Sequence, residues 1–540
     1  MKRIQRFCSL VLLAALWGGI PALRAQSFDK LWKQVEQAEQ KDLPQTAVSL
    51  ADEIYRKGKS ERNIPQMLKS DIYRREFREM LTPDSFYVDL QGLEQWASSE
   101  PDVVGRAVLH SLVAGSYADY AGRNQRALHE RAKLSVEQGT WPDDIREWSA
   151  NMFVRRVMQH VDEALKNVPE LLEASSSNYV PFIIQGDDSK YYHHDMYHLL
   201  ASRCIGALQN ISDFDADTLA GNKIASIYEQ MINSYRQMPG REDAVVLTML
   251  DYAKWYGQSG KAYPVPRLRR IGGAADRHLS LLDSIIGEYA RRDVCAEAYL
   301  AKADCYSGLG RKPEALALCD EAIKRYPGYK RISALRNLRE TILQPLLMLE
   351  VDKVAYPGDS LSFQVQHKNL EGFTLNLFRT TLAESPVDMP NINAAFYKKY
   401  ARKIKTEHFS LSRPEDYKVA SYKRRIALPD EPGNYILQLV PDDRRGRSAD
   451  CFISLTRFKV MSITLAGEEK EFVVLDSKTG HPVADAQVFF YSTEHRKNIK
   501  ELERRKTDAS GKLSCKLKNN DFLLAVRKGT DTAMPPIMKA

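Results

Sequence analysis

The stretch whose residue types and spacing could do chemistry is Tyr191-Tyr192-His193-His194-Asp195-Met196-Tyr197-His198. His194 and His198 stand four apart, so on a helix both imidazoles would share a face. Asp195 falls where zinc hydrolases carry the Glu that activates a metal-bound water. The set is incomplete for that task, because Asp is one methylene shorter than Glu and no third His or Glu stands just downstream. Asp187 and Asp188 mark the segment instead as a helix start, in its first turn or at its cap. The residues therefore predict a solvated helix start with no metal and no cofactor, His194 and His198 being the only ligand candidates.

Other signals are weaker. Gly308-Leu309-Gly310 lacks the strand-turn-helix setting of a dinucleotide site. The acidic clusters at 213–217 and 468–471 read as exposed loops. No Gly-x-Ser-x-Gly elbow and no phosphate-binding glycine loop occurs, and no enzyme is expected.

The elements that would position these residues are helical from Ser27 to about Gln344, with apolar residues recurring at three and four. Ile224, Ile227, Tyr228, Met231 and Tyr235 form one such stripe, and others run through 31–55, 103–120, 145–172 and 201–208. Tyr299, Ala303, Tyr306, Gly310, Ala315, Cys319, Ala322 and Pro327 fall at the spacings of one tetratricopeptide repeat. Small alanines let two antiparallel helices approach, Gly310 turns the chain, and Pro327 ends the second helix. Because one hairpin cannot bury its own apolar face, neighbours must stack on it, which predicts an irregular helical solenoid.

The period changes after Pro345. Leu361, Phe363 and Val365 alternate with polar neighbours, as do Phe373, Leu375 and Leu377, after the turn Tyr356-Pro357-Gly358-Asp359. Tyr435 to Val440 and Phe452 to Val460 continue this style, and the polar stretch 385–418 reads as a long insertion or a helix crossing the edge. From about Ser462 a second β module carries Asp476-Ser-Lys-Thr-Gly480-His-Pro482-Val483 and Thr507-Asp508-Ala-Ser-Gly511 as turns between strands. It reads as a module cut short at Ala540.

The chain of 540 residues is too long for one core, and 44% apolar with 27% charged residues places it among globular proteins. Lys2, Arg3 and Arg6 precede the apolar run from Phe7 to Leu16, with Gly18, Gly19, Pro21 and Ala25 following, which is a signal-peptide pattern. Cys8 lies too early in that run for a lipoprotein. Cleavage after Ala25 removes four basic residues, leaving +4 of the formal +8, with no membrane span. Nucleic acid is not an expected partner. Six cysteines remain without metal spacing, and buried thiols are favoured over a disulfide such as Cys305–Cys319.

These residues also carry a resemblance. A helical region, then a strand-Tyr-Pro-Gly-Asp-strand-Asn369-Leu370 module, then the Asp476-x-x-Thr-Gly-x-Pro-Val483 and Thr507-Asp508-x-x-Gly511 module resembles the N-terminal part of large alpha-2-macroglobulin-like proteins of the Bacteroides type. The Thr-Gly-x-Pro-Val turn also occurs in carboxypeptidase-regulatory-like sandwiches. The resemblance implies protease trapping through a bait segment and a thioester in a Cys-x-Glu-Gln context, although none of the seven cysteines is followed by x-Glu-Gln. The expectation is an α + β multidomain chain: signal peptide 1–25, TPR-like helical-repeat domain 26–345, macroglobulin-like antiparallel β-sandwich 346–461, and a second macroglobulin or carboxypeptidase-regulatory-like sandwich 462–540. It is expected to be exported to the periplasm or outer-membrane surface, with proteases or envelope proteins as partners. The alternative is a binding scaffold for envelope assembly or nutrient uptake.

Overall fold

The computed structural model describes residues 21–81, 86–130, 141–214, 219–258, 274–380, 392–464, 469–492, 501–516 and 522–531. The basic and apolar stretch 1–20 lies outside the described residues, as does 532–540. Among the described residues no helix is long and apolar enough to cross a membrane. The chain divides into two compact units, Met1–Ala298 and Tyr299–Ala540.

The first unit is helical. Helices α1 (Pro21–Gln40), α2 (Pro44–Glu61), α3 (Ile64–Leu81), α4 (Phe86–Ser99), α5 (Val103–Arg123) and α6 (Gln125–Glu130) come first. They are followed by α7 (Ala150–Ala164), α8 (Val168–Glu173), α9 (Met196–Ile211), α10 (Leu219–Arg236), α11 (Glu242–Gln258) and α12 (Ala274–Tyr289). Helix α5 packs against α4, α7 and α9. Its buried Ala107, Ala114, Ala118 and Ala121 have nothing beyond Cβ to hold neighbours away, and Asp102 caps it by accepting from the Gly105 N–H. Helix α7 shows why periodicity reads true here: Phe153, Val157, Val161 and Ala164, three and four apart, lie on its buried face.

The second unit holds α13 (Ala296–Gly308) from Tyr299 onward, α14 (Lys312–Arg325) and α15 (Ile332–Leu343). Gly310 at φ +76° turns the chain between α13 and α14. Ala303, Ala315, Cys319 and Ala322 are fully buried. The Tyr299 hydroxyl donates to Glu321 at 2.6 Å and accepts from Arg325 at 3.1 Å, tying the two helices together. Cys305 and Cys319 both stand as thiols.

Strands then follow: β1 (Leu346–Val351), β2 (Val354–Ala355), β3 (Ser360–Lys368) and β4 (Gly372–Thr380). After the short α16 (Ala394–Tyr400) come β5 (Ala401–Ser410), β6 (Ala420–Ala427), β7 (Gly433–Pro441) and β8 (Ala449–Leu455). They form two sheets, β1-β3-β6 and β2-β8-β7-β4-β5. Leu361, Phe363 and Val365 of one sheet and Phe373, Leu375, Leu377, Leu437 and Ile453 of the other share one core. The expectation of antiparallel strands needs one amendment, since β2 pairs parallel to β8.

A second pair of sheets contains β9 (Phe458–Thr464), β10 (Glu469–Asp476), β11 (Gln487–Ser492), β12 (Glu501–Lys506), β13 (Lys512–Lys516) and β14 (Phe522–Arg527). The orders are β13-β10-β9 and β12-β11-β14, and Phe458, Val460, Phe472 and Val474 meet Val488, Phe490 and Val526 between them.

Three sequence expectations change. The run Phe452 to Val460 is two strands that serve different cores, because the chain leaves the first sheet at Leu455 and β9 pairs with β10 from Phe458. The stretch 385–418 contributes an edge strand as well as a short helix, 381–391 lying outside the described residues. β5 pairs with β4 from Ala401 to Ser410, and its signal is weak because its inward positions beside Leu377 and Leu375 are Lys405 and Glu407, leaving only Phe409 to mark the core face. The acidic cluster near 470 is a strand, as Glu469 opens β10 and Glu471 pairs with Lys512 at 3.1 Å; Glu468 is outside the described residues, as are 215–217.

Candidate functional site

The chain enters α9 through a 3-10 turn, Ser189–Tyr192. His193 and His194 follow at φ 51° and 58°, a left-handed pair that ends the turn. Asp195 is the helix N-cap, its carboxylate accepting from the His198 N–H at 2.9 Å. The cap is therefore Asp195, and neither Asp187 nor Asp188. This placement undoes the shared-face geometry: His194 precedes the helix, with its Nδ1 2.9 Å from the Ser189 hydroxyl, while His198 lies in the first turn. The helix start is also less solvated than expected. The His198 ring stacks on Tyr192 at 3.5 Å between centroids, and burial pushes its pKa down to about 4, against the pull of Asp188.

Asp195 cannot serve as a general base toward a ligand held by these histidines. Its oxygens accept from the Tyr235 hydroxyl at 3.2 Å and the Arg241 guanidinium at 2.7 Å as well as from the cap N–H, and it is 4% exposed. Burial raises the carboxyl pKa while the His198 N–H and Arg241 pull it down. Arg241 also donates to the Tyr192 carbonyl. The cluster is a knot joining the start of α9, the end of α10 and the turn before α11. Among the described residues no group of three His, Cys, Asp or Glu could hold a metal ion.

A second polar chain was not legible in the sequence. His110 of α5 and His160 of α7 meet Nδ1 to Nδ1 at 2.8 Å, and His160 Nε2 lies 2.7 Å from Glu94 of α4. With His160 donating to the carboxylate from Nε2, its Nδ1 lone pair accepts from His110. Arg156 donates to the other Glu94 oxygen at 3.0 Å. Burial would raise Glu94, but the His160 and Arg156 hydrogen bonds bring it below the ordinary range. Burial and then the neighbouring His160 push His110 down to about 4. The pair His160–Glu94 resembles the base and orienting carboxylate of a hydrolytic triad. Its nucleophile is missing: among the described residues no hydroxyl or thiol bonds to either ring, and Ser111 donates to the Val108 carbonyl instead. The residues stand 50 and 66 apart, so no local motif announces them. Two of the buried thiols are poor nucleophiles as well, since burial pushes Cys204 up to about 12 and Cys319 up to about 11.

The turn motifs of the β modules do come together. The Asp476 carboxylate accepts from the N–H groups of Lys478 at 3.0 Å and Thr479 at 2.8 Å, and Gly480 takes φ +72°. Burial opposes ionisation, yet these backbone donors hold the carboxyl below its usual range. Asp508 repeats the device, accepting from Ser510 and Lys512. Gly511 (φ +73°) lets the second turn lie against the first, where a Cβ would stand 2.6 Å from the Val474 carbonyl oxygen and 3.0 Å from Pro482. Thr507 completes the lock, its hydroxyl donating to the Val483 carbonyl at 2.6 Å and accepting from the Ala486 N–H at 2.9 Å.

The motif of the first β module reaches this same place. The Tyr356 hydroxyl donates to Asp476 at 3.1 Å, and Asp359 accepts from Lys478 at 2.6 Å. Gly358, at φ +78°, packs its backbone on Asp430, where a side chain would collide. Asn369, at φ 57°, donates from its amide to the Ile342 carbonyl at 2.8 Å, and Lys368 donates to the Thr341 carbonyl at 2.8 Å. Two orphan carbonyls at the C-terminal end of α15 are thus satisfied from the β3–β4 turn.

No family model matches the chain, and no curated protein does. Among solved structures, a crystal structure of native Escherichia coli alpha-2-macroglobulin spanning domains NIE-MG1 is similar at 16% identity, over 36% of this chain and 97% of that one, with a TM-score of 0.28. The MG0-NIE-MG1 crystal structure of the same protein gives 16% identity over 35% of this chain and 63% of that one, at 0.28. A cryo-EM reconstruction of its native conformation gives 16% over 35% of this chain and 12% of that one, at 0.22. At that distance the likenesses assign no role to any residue here.

Proposed function

We propose that the chain is a non-catalytic, exported envelope protein, the front section of an alpha-2-macroglobulin-like endopeptidase inhibitor, with TPR-like helical hairpins followed by two macroglobulin-like sandwiches. Its work is surface and spacing. Stacked hairpins offer an extended face to proteases or envelope proteins, and the two joined β modules add a second surface. The observation that carries the reading is the meeting of Tyr356 and Asp359 with Asp476 and Lys478: the residues that bear the sequence resemblance are those that join one β module to the next. The buried polar clusters favour a non-catalytic role, since their groups are engaged in holding helices.

The test is the native product itself, by RNA reads and intact-mass measurement across Ala540. Continuation into further sandwich modules and a Cys-x-Glu-Gln segment is the expected result, with a mature N-terminus at Gln26. A native protein that ends at Ala540 overturns the inhibitor reading. The absence of any Cys-x-Glu-Gln in these residues then favours the other reading, a binding scaffold for envelope assembly or nutrient uptake.

A further inference from the structure

Between Lys398 and Arg425 the sequence carries ten Lys or Arg against three Asp or Glu, an excess of seven beside +8 for the whole chain. Most of these cations lie on or beside two terminal strands at one side of the sandwich. Strand β5 ends the five-stranded sheet and β6 ends the three-stranded one. Phe373 of β4 lies 5.2 Å from Phe409 of β5 and 6.4 Å from Tyr422 of β6, centroid to centroid, so both terminal strands flank the same core residue. Lys398, Arg402, Lys403, Lys423, Arg424 and Arg425 are exposed or half-exposed, and none of the six forms an ion pair among the described residues. Two of the three acids pair with other cations of the stretch, Glu407 with Lys405 at 3.4 Å and Asp416 with Lys418 at 3.0 Å, which leaves these six unneutralised.

Strand β5 is hydrogen-bonded on one side only, to β4. Its ladder shifts register between Leu377 and Phe378, and beyond that bulge 405–410 runs as an even edge with free backbone groups on its outer side among the described residues. An edge of this kind accepts an added strand. The cations on and beside it repel the like edge of a second copy of this chain and attract carboxylates. We propose that the β5 edge, with the cationic rim of β6 beside it, docks an extended acidic polypeptide segment as an additional strand. The rim could act so in an inhibitor or in a scaffold.

The experiment is fluorescence anisotropy of the full chain at low salt with a labelled eight-residue peptide of alternating Glu and Thr. Binding is expected, weakened at least tenfold by the combined change Arg402→Ser, Lys403→Ser, Lys423→Ser and Arg425→Ser. It is also expected to weaken at least tenfold when alternate peptide amides are N-methylated, a comparison that needs no protein variant. Equal binding of the methylated peptide overturns the proposal, because charge alone would then suffice. So does preferential capture of phosphatidylglycerol vesicles or heparin, which have no strand to add, and so does failure to bind the peptide.

Discussion

The helical unit and the β modules use carboxylates in opposite ways. In the helices Asp195 is buried and Glu94 largely so, and they bind partners 46 and 66 residues away, whereas in the β modules Asp476 and Asp508 sit in exposed turns and bind N–H groups two to four residues ahead. A buried carboxylate that loses its partner keeps its full desolvation penalty, while water replaces a partner lost at the surface. The first arrangement concentrates stability in a few knots. The second spreads it over many small locks.

The sharpest way to break this contrast is Arg241→Met, which leaves Asp195 buried without its cation. A loss of about 3–5 kcal/mol in urea unfolding of the helical unit is expected, partly restored by adding Asp195→Asn. A loss under about 1 kcal/mol would show that the knot carries no special weight.

Next in size is the response to acid. His110 and His198 are held down to about 4 while their unfolded values lie near 6.5, so the unfolded chain binds more protons between those limits. Stability is present above about pH 6.5 and falls progressively toward pH 4, by up to about 2–3 kcal/mol for each group. Unfolding midpoints across that window should flatten in the double variant His110→Gln, His198→Gln. Unchanged slopes would contradict the assignment.

A smaller effect is expected in the β modules. Gly511→Ala combines a left-handed backbone with a contact on the Val474 carbonyl and should cost about 1–3 kcal/mol in thermal unfolding. Lys478→Ala, which removes a solvent-exposed pair with Asp359, should leave the melting temperature unchanged. A measurable loss there would mean that the joint between the β modules behaves like the helical knots.

The same contrast explains what could be read from the sequence. Helix α7 and strand β3 announce themselves by period, because one face of each is buried along its whole length. The turns at Asp476 and Asp508 are equally plain, since their backbone partners lie within four residues. Strand β5 hides its period behind Lys405 and Glu407. The Glu94–His160–His110 chain is invisible for a different reason: three residues on three helices become neighbours only after packing. His194 and His198 show the converse, a spacing that suggests a ligand pair until the turn at His193 places one of them before the helix.

The capping of α15 by Asn369 has a mechanical consequence. Only Gln344 and Pro345 separate α15 from β1, and the same helix end is stitched to the β3–β4 turn. A pull along the chain from the helices therefore finds no slack to pay out. The load enters β1 directly and the end of β3 through Lys368 and Asn369, so the passage from helix to sheet is built to transmit tension rather than to absorb it.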